Sequence, residues 1–258
     1  IDIVLHFAAF IDVAESVIKP EKYNKNNFKN SKIFFKICKE NKIKKIVFSS
    51  TAAVYGNTMK GNVSESSKKK PLSPYAISKY NTEKFLIKSS YFKYIILRYF
   101  NVAGSDFKLR SGLISKKEST HLIKKICENY LNKQKLYIFG KDYPSKDGTA
   151  IRDFIHVMDL AEAHLKSCEY LNKFNKSNIF NCGYGKGYTV KEVIDCFNKI
   201  SKKKISFSYT KRRTGDLYKL VANNNKIKKA LKWKPKYASL KKILKSSLQW
   251  EKKITSYE

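Results

Sequence analysis

Short apolar runs alternate with helical stretches along the first hundred residues of the chain. The runs at 1–9, 43–50 and 94–100 are rich in Ile, Val, Leu and Phe, and each has the length of a buried strand. Apolar residues recur at helical spacing between 23 and 40, and a second helix is expected from 74 to about 90. Buried strands that alternate with helices predict an α/β fold with a parallel sheet.

The pattern becomes looser after Gly104 but keeps the same alternation. It predicts helices at about 118–132, 158–171, 190–200 and 240–248, with short strands at 135–139, 152–157, 180–182 and 205–209. Glycines at 183, 185 and 187 look like a phosphate-binding loop, but such a loop binds a dinucleotide at the first turn of a βαβ unit. We therefore interpret residues 183–187 as a tight turn.

Composition adds a large positive charge to this picture. The 258 residues carry a formal net charge of +33, almost all of it lysine spread through every segment. Nucleic-acid binding depends on clustered Lys and Arg, so we attribute the charge to compositional drift and expect neither nucleic acid nor a membrane as a partner. Only five arginines occur, and four of them (Arg98, Arg152, Arg212 and Arg213) lie in the motifs described below.

The cysteines bear on the compartment and on metal binding. There are five, an odd number, and none forms a Cys-x-x-Cys spacing. This pattern favours reduced thiols in a cytoplasmic protein and indicates neither a disulfide framework nor a metal site. No apolar run approaches the roughly 20 residues of a membrane span, and the first residues lack the pattern of a signal peptide.

Candidate chemistry lies in the stretch Ser73-Pro74-Tyr75-Ala76-Ile77-Ser78-Lys79. If a helix begins at Pro74, the four-residue spacing places Tyr75 and Lys79 on one face, one turn apart. An ammonium close to a phenol favours the phenolate, so a tyrosine with an ordinary pKa of about 10 could act as a base near neutral pH. On spacing alone, a solvated helix face is the alternative interpretation.

Further motifs occur in a fixed order along nearly the whole chain. They are His6-Phe7-Ala8-Ala9, Glu15-Ser16-Val17, Asn26-Asn27, Phe48 to Gly56, Ser73 to Lys79, Leu97 to Gly104, Ile138-Phe139-Gly140, Asp147-Gly148-Thr149, Arg152 to Ala161, Phe180 to Gly183, and Arg213 to Asp216. Together they resemble the extended short-chain dehydrogenase/reductase superfamily and, within it, the UDP-glucose 4-epimerases.

The resemblance implies a Rossmann-like, doubly wound parallel sheet and a smaller C-terminal α/β substrate domain. Residues 1–105 would be the remainder of an NAD-binding domain and 106–258 mainly a UDP-sugar-binding domain, with about 150–185 returning to the first sheet. The family's Gly-x-x-Gly-x-x-Gly fingerprint should precede His6, and the chain does not contain it. We therefore expect an N-terminally truncated chain that lacks its first βαβ units and is poorly stable and inactive as written.

The resemblance also implies a reaction, the reversible interconversion of UDP-glucose and UDP-galactose in galactose metabolism. Tyr75 would take the proton of the sugar 4-hydroxyl while hydride passes to bound NAD, and a 4-keto sugar would then accept the hydride on its other face. Lys79 would lower the pKa of Tyr75 and hold the nicotinamide ribose. Thr51 would bond the sugar oxygen. Family members commonly pair, so a homodimer that uses the Tyr75 helix is expected.

Binding roles follow by the same resemblance. Besides Tyr75 and Lys79, the residues implied to contact NAD are Phe7, Ala8, Asn26, Ser49, Ser50, Tyr99 and Phe100. For the substrate, Asn101 and Arg213 would contact the UDP diphosphate and Asp216 the uridine ribose, and the nucleotide wall would comprise His121, Leu122, Tyr137 and Phe139, with Arg152 on the same side.

Three alternatives bear on this assignment. A nucleotide-sugar 4,6-dehydratase needs an Asp-Glu pair directly after the Thr51 position, and Ala52-Ala53 stand there instead. Epimerisation of another UDP-sugar, such as UDP-N-acetylglucosamine or UDP-xylose, stays open, although the bulk of Leu220 near the hexose end favours plain hexoses. A non-catalytic fragment of the fold, sensing a cofactor or binding nucleic acid, is the alternative from another class.

Overall fold

Strands and helices alternate in the computed structural model, which describes residues 1–57, 62–114, 119–213 and 216–256. The strands are β1 (Ile3–His6), β2 (Lys45–Thr51), β3 (Lys93–Tyr99), β4 (Asn101–Ala103), β5 (Leu136–Phe139), β6 (Ile151–His156), β7 (Asn178–Cys182), β8 (Gly187–Thr189), β9 (Phe207–Thr210) and β10 (Lys219–Leu220). The helices are α1 (Val13–Ile18), α2 (Pro20–Tyr23), α3 (Asn30–Glu40), α4 (Pro74–Lys88), α5 (Leu122–Leu131), α6 (Val157–Phe174), α7 (Val190–Asn198), α8 (Asn225–Leu231) and α9 (Leu240–Thr255).

The first sheet has the strand order β1-β2-β3-β7, and its neighbouring strands are all parallel. Successive residues of a strand point to opposite faces, and both faces here are apolar. Ile46, Phe48 and Ile96 pack with Phe35 of α3 on one face, whereas Val47 packs with residues of α6 and α8 on the other. Helices on both faces of a parallel sheet confirm the predicted α/β fold.

A continuous helical stretch joins β1 to β2. It begins at Pro20, as Pro at the first helical position favours, and ends at Glu40, so the predicted helix between 23 and 40 is confirmed. Residues Asn24–Lys29 form a π-helical segment within it. Such segments are rare and are frequent at functional sites. This one contains Asn26 and Asn27, and the asparagine pair therefore lies where the helix is locally widened.

The remaining strands form a second four-stranded sheet and a two-stranded sheet over a second core. Strand β6 pairs in parallel with β4 and β10 and antiparallel with β8, and β5 pairs in parallel with β9. Apolar faces of α5, α7 and α9 close this core. Strand β7 lies beside β3 in the first sheet, so the chain returns to that sheet after β6. The domain boundary at residue 105 stays a prediction.

The turn after β7 is closed by a buried carboxylate. Asp153 accepts hydrogen bonds from the backbone N–H groups of Tyr184, Gly185 and Ala222 at 2.9, 2.8 and 3.1 Å. A Cβ atom on Gly183 would lie 2.8 Å from the same carboxylate, so the turn needs a glycine there. The backbone N–H groups of this loop therefore bind the carboxylate of Asp153 in β6. The chain turns tightly between β7 and β8, as the interpretation of residues 183–187 as a tight turn expects.

We expect Phe180→Ala to lower the free energy of unfolding by roughly 3–5 kcal/mol, because it removes a large side chain and leaves a cavity. Phe180 lies in β7 with no exposed surface. Phe174→Ala is the matched control, since that ring lies at the end of α6 with 48% of its surface exposed, and its effect should be within about 0.5 kcal/mol. Urea denaturation of both variants measures the difference. Equal losses would contradict the packing described for β7.

Candidate functional site

Tyr75 and Thr51 meet where helix α4 begins beside the end of strand β2. Ser73 caps the helix, its hydroxyl accepting the N–H of Ala76 at 3.2 Å, and Pro74 occupies the first helical position. Tyr75 therefore lies in the first turn, as the sequence predicts. Thr51 is the last residue of β2 and caps the 3₁₀ turn that follows. The side chain of Thr51 adjoins that of Tyr75 and acts to lower the pKa of the phenol.

Lys79 lies one turn further along α4 and points into the protein. Only 2% of its surface is exposed, and its Nζ donates to the backbone carbonyl of Ser49 at 2.6 Å. The same nitrogen lies 4.9 Å from the centre of the Phe48 ring. Burial lowers the pKa of Lys79 to about 7, against a smaller opposing effect of Glu83. An ammonium in this position is therefore poised to lose its proton near neutral pH.

The acidity of Tyr75 differs from the sequence-based expectation. Burial raises the pKa of Tyr75, and the group that acts to lower it is the side chain of Thr51. The expected lowering by Lys79 requires the ammonium to face the phenol, but in this structure the ammonium is bonded to the Ser49 carbonyl. The pair is thus assembled with the right spacing, whereas the effect of the lysine on the phenol is smaller than that of burial.

Tyr99 connects this site to helix α6. Its hydroxyl lies 2.5 Å from Nε2 of His164, and the adjoining Ser49 side chain acts to lower the pKa of this phenol against the larger effect of burial. Nδ1 of His164 lies 2.8 Å from the carbonyl of Leu160, so Nδ1 carries the proton and Nε2 accepts from Tyr99. Burial lowers the pKa of His164, which keeps the ring neutral. The buried His164 therefore accepts a hydrogen bond that orients Tyr99.

The residues implied to contact NAD at the end of β1 lie around one open cleft. Phe7, Ala8 and Asn26 line this cleft, whose volume is about 450 Å³. Asn27, to which the sequence assigned no role, ties it to α4. Its side chain accepts the N–H of Phe10 at 2.8 Å and donates to the hydroxyl of Ser78 at 3.2 Å. Asn27 belongs to a quoted motif, but its side-chain partners become neighbours only in the folded chain.

His6 borders the same cleft and stays neutral. The hydroxyl of Ser31 donates to the Asn27 carbonyl at 2.8 Å, so it accepts its bond with Nε2 of His6, also 2.8 Å long. Burial and the nearby charge of Lys79 lower the pKa of His6 to about 4. The ring can therefore donate a hydrogen bond without adding charge beside Lys79.

On the substrate side, the structure forms two of the implied groupings. Nη2 of Arg152 lies 3.8 Å from a carboxylate oxygen of Asp216. The guanidinium of Arg213 lies over the ring of Phe139, 3.6 Å from its centre. Thr214 and Gly215, between these two residues in the quoted motif, lie outside the described residues.

Other residues implied to bind the substrate have contacts of their own. Asn101 donates its amide to the carbonyl of Asp153 at 3.1 Å. Leu122 begins α5 and packs on the second core, whereas Tyr137 has 57% of its surface exposed. His121 caps α5, where burial lowers its pKa against an opposing effect of Asp12. These residues therefore lie in different parts of the fold, in β4, at the start of α5 and in β5.

Two further residues pack behind the 3₁₀ turn. Phe100 has 5% of its surface exposed and shares an apolar cluster with Ala52 and Val54. Leu220 belongs to the same cluster, with 7% exposed. Leu220 therefore lies close to the turn that Thr51 caps, although most of its bulk is in the core.

Comparison with known proteins identifies the family to which this chain belongs. The sequence pattern of the NAD dependent epimerase/dehydratase family matches residues 1–183. The chain belongs to this family. It is 42% identical over 258 residues to the UDP-glucose 4-epimerase of Azospirillum brasilense, covering 98% of this chain and 74% of that one. The resemblance to UDP-glucose 4-epimerases seen in the motifs is thus confirmed.

Solved structures agree with the fold. The UDP-glucose 4-epimerase of Bifidobacterium longum, in complex with NAD+ and UDP, superposes with a TM-score of 0.91 at 32% identity, covering 98% of this chain and 77% of that one. The UDP-Glc/GlcNAc 4-epimerase of Campylobacter jejuni has a TM-score of 0.81 at 44% identity, with 98% and 78% covered. These likenesses confirm the Rossmann-like parallel sheet.

The donor groups at the ends of β2 and α4 fit the nicotinamide end of NAD. A phenol, a buried ammonium and the hydroxyls of Ser49 and Thr51 surround the carboxyl ends of β2 and β3, where open α/β sheets bind their ligands. The side-chain amide of Asn26 lies on the adjoining cleft.

Within the described ranges, no three His, Cys, Asp or Glu residues are grouped to hold a metal ion. None of the helices described combines the length and apolar character that crossing a bilayer demands.

Lys79→Met should change how stability depends on pH. The Lys79 pKa is about 7 in the folded protein and about 10.5 in an unperturbed chain, so between these values the unfolded state binds one more proton. The free energy of unfolding of the wild type therefore rises with pH across this window. The stability of the wild type relative to K79M is lowest below about pH 7. Urea denaturation at several pH values measures the slope.

The control for this experiment is Lys84→Met, because Lys84 lies on the exposed face of the same helix. We expect it to keep the wild-type slope. A K79M variant whose stability rises with pH as steeply as that of the wild type would contradict the burial of a titrating ammonium at this position.

Proposed function

We propose that this chain carries the proton-transfer residues and the UDP-sugar site of a UDP-glucose 4-epimerase, an enzyme of galactose metabolism. The observation that carries the proposal is the grouping of Thr51, Tyr75 and Lys79 at the ends of β2 and α4. The relatives named above are 4-epimerases of UDP-sugars, and their structures share this fold. Ala52 and Ala53, which follow Thr51, lack the carboxylates that a dehydratase would need.

The chain's own residues would act on the proton of the sugar 4-hydroxyl. Tyr75 is the base that removes it and the acid that returns it after the 4-keto sugar has turned over in the pocket. Thr51 shares its hydrogen bond with the phenol and with the sugar oxygen. The Lys79 ammonium adds positive charge beside the phenolate as it forms. Bound NAD would supply the acceptor and donor of the C4 hydride, and Lys79 would hold its nicotinamide ribose.

Binding roles for the cofactor fall on residues at the cleft and at the strand ends. Phe7, Ala8 and Asn26 would contact NAD on one side, and Ser49, Ser50, Tyr99 and Phe100 on the other, with Lys79 on the nicotinamide ribose. His164 supports this set, because the bond from Tyr99 to its Nε2 fixes the tyrosine ring.

The UDP part would bind between β5, β6 and the segment around 213–216. Arg213 and Asn101 are proposed for the diphosphate, Asp216 for the uridine ribose, and His121, Leu122, Tyr137 and Phe139 for the nucleotide wall. Arg152 supports Asp216 through their ion pair. The contact of Arg213 with the Phe139 ring supports this proposal, because it brings a residue proposed for the diphosphate beside one proposed for the nucleotide wall.

The sugar itself is open to a second candidate, UDP-N-acetylglucosamine. The Campylobacter jejuni relative, 44% identical, is a UDP-Glc/GlcNAc 4-epimerase. Leu220 favours a plain hexose in this chain, since it is bulky and packs beside the turn that Thr51 caps.

We also propose a homodimer that pairs through α3 and α4, whose outer faces expose Ile33, Ile37, Ile77 and Ile87.

Binding of UDP by the 258-residue chain is the direct test of the proposed substrate site. Isothermal titration calorimetry should show saturable binding, and Arg213→Met should weaken it about tenfold or more, because a hydrogen bond to a charged group contributes roughly 1.5–3 kcal/mol. Arg110→Met is the control, since Arg110 pairs with Asp106 and has 68% of its side chain exposed. Equal affinities for wild type and R213M, or no binding by the wild type, would contradict the proposal.

Turnover is a separate prediction. These 258 residues contain no Gly-x-x-Gly-x-x-Gly, so we expect them to bind NAD weakly and to convert UDP-galactose to UDP-glucose at no more than background rate. Titration with NAD and chromatographic assay of the products measure both. Conversion that Tyr75→Phe lowers by about 100-fold would contradict this inactivity and would support the base assigned to Tyr75.

A further inference from the structure

A buried ion pair lies directly behind the proposed site, and nothing in the proposed reaction uses it. Glu83 follows Lys79 by one turn of α4 and has no exposed surface, and Arg98 of β3 has 1% exposed. Their contact is bidentate, with Nε to Oε1 at 3.0 Å and Nη2 to Oε2 at 2.6 Å. Tyr75, Lys79 and Glu83 thus follow one another at four-residue intervals on the face of α4 that meets β2.

The pair is bonded to the strand that holds the other half of the site. The hydroxyl of Ser50 donates to Oε1 of Glu83. Ser50 lies between Ser49, whose carbonyl accepts the Lys79 ammonium, and Thr51, whose side chain adjoins Tyr75. Three consecutive residues of β2 therefore each contact one of the three side chains spaced along α4, two of them through hydrogen bonds.

Arg98 extends the same network across the sheet. Its Nη1 donates to the hydroxyl of Tyr55 at 2.9 Å, and that hydroxyl donates to Oδ1 of Asn181 at 2.6 Å. Tyr55 ends the 3₁₀ turn after Thr51, and Asn181 lies in β7. The carboxylate of Glu83 is thus held by residues from β2 and β3, and its position relative to the sheet is fixed.

Stability alone is a weak reason for this arrangement. Taking two charges out of water costs about as much as their attraction returns, and apolar residues of similar volume often replace such a pair without loss. The pair does hold one carboxylate beside a buried ammonium. Burial lowers the pKa of Lys79, and the charge of Glu83 on α4 acts to raise it. Burial and the charge of Lys79 in turn lower the pKa of His6 on β1, and His6 is therefore neutral near pH 7.

We propose that the Glu83–Arg98 pair is the positioning element of the site, holding α4 against β2 so that the Lys79 ammonium stays charged at the Ser49 carbonyl. Arg98 fixes the Glu83 carboxylate, and Glu83 supplies the negative charge that offsets the burial of Lys79. Both are positioning residues, since neither touches the proton that the site would move. The inference rests on the proposed function only for the use made of Lys79, because the arrangement itself is tested without substrate or cofactor.

The experiment follows Lys79 by NMR in protein labelled with ¹³C-lysine. The Cε resonance of Lys79 is the one that titrates near pH 7 and is lost in K79M. In Glu83→Gln its midpoint should fall by roughly one pH unit, because an opposite charge at this range favours the ammonium. General loosening of the helix would move the midpoint the other way, toward 10.5, since it would admit water.

Two further variants separate position from stability. Glu83→Asp keeps the charge and should restore the midpoint close to that of the wild type. The double variant E83Q/R98M removes both charges, so it should unfold at a higher urea concentration than E83Q while its Lys79 midpoint stays low. If E83Q does not fold, the double variant supplies the measurement.

Glu251→Gln is the matched control. Glu251 forms a buried ion pair with Lys124 at 2.7 Å, with 6% of each side chain exposed, between α5 and α9. We expect it to lower stability and to leave the Lys79 midpoint unchanged. The proposal is overturned if E83Q leaves the midpoint at the wild-type value or raises it. Failure of the wild type to bind UDP would contradict the proposed function and would not concern this pair.

Discussion

The arrangement of this protein depends on helix α4 lying in one register on strand β2. Lys79 is the side chain most sensitive to that register, because only 2% of the residue's surface is exposed and its ammonium donates to the carbonyl of Ser49. A buried ammonium without such an acceptor would bear most of its desolvation cost. A shift of the helix by one residue would turn Lys79 away from the Ser49 carbonyl and Tyr75 away from Thr51. The rest of the sheet serves to keep that register.

The apolar clusters on the two faces of the first sheet support the register from different sides. On one face of the first sheet, Phe35 of α3 and Leu86 of α4 pack against Phe48 and Ile96, so the helices beside the site are held by apolar contact. On the other face, Trp233 packs behind Phe180 and donates its indole N–H to the Asp159 carbonyl at 3.0 Å. Strand β7 joins both, since it pairs with β3 and carries Asn181 of the polar network. The site therefore draws on segments from most of the chain.

Much of the fold was predictable, because its long elements carry clear periods. The apolar run ending in Ser49-Ser50-Thr51 is a central strand, and Ser73-Pro74 begins a helix by capping rules that depend only on local sequence. The sequence pattern did not predict β4, β8 and β10 as separate strands, because a run of two or three residues shows no hydrophobic period. The π-helical segment at Asn24–Lys29 likewise has no local signature.

The site was predictable to the extent that single motifs carry it. Tyr75 and Lys79 could be named from their spacing and Thr51 from the family resemblance, and the structure brings them together. Residues that act through long-range contacts could not be named in this way. Glu83 has helical spacing from Lys79, yet its partner Arg98 is 15 residues distant, and Tyr99 meets His164 across 65 residues. The pKa of Tyr75 also depends on burial, which spacing does not reveal.

Arginine use gives an independent indication of which contacts the chain requires. Only five of its 54 basic residues are arginines, so lysine stands wherever a point charge suffices. Arg98 makes two bonds to one carboxylate and a third to Tyr55, and Arg212 bonds both the side chain and the carbonyl of Asp142. Arg213 lies flat over Phe139. A lysine ammonium has neither the fork nor the plane for these contacts. Arginine is therefore present where the planar fork is used, beside the proposed proton-transfer site and on the proposed substrate side.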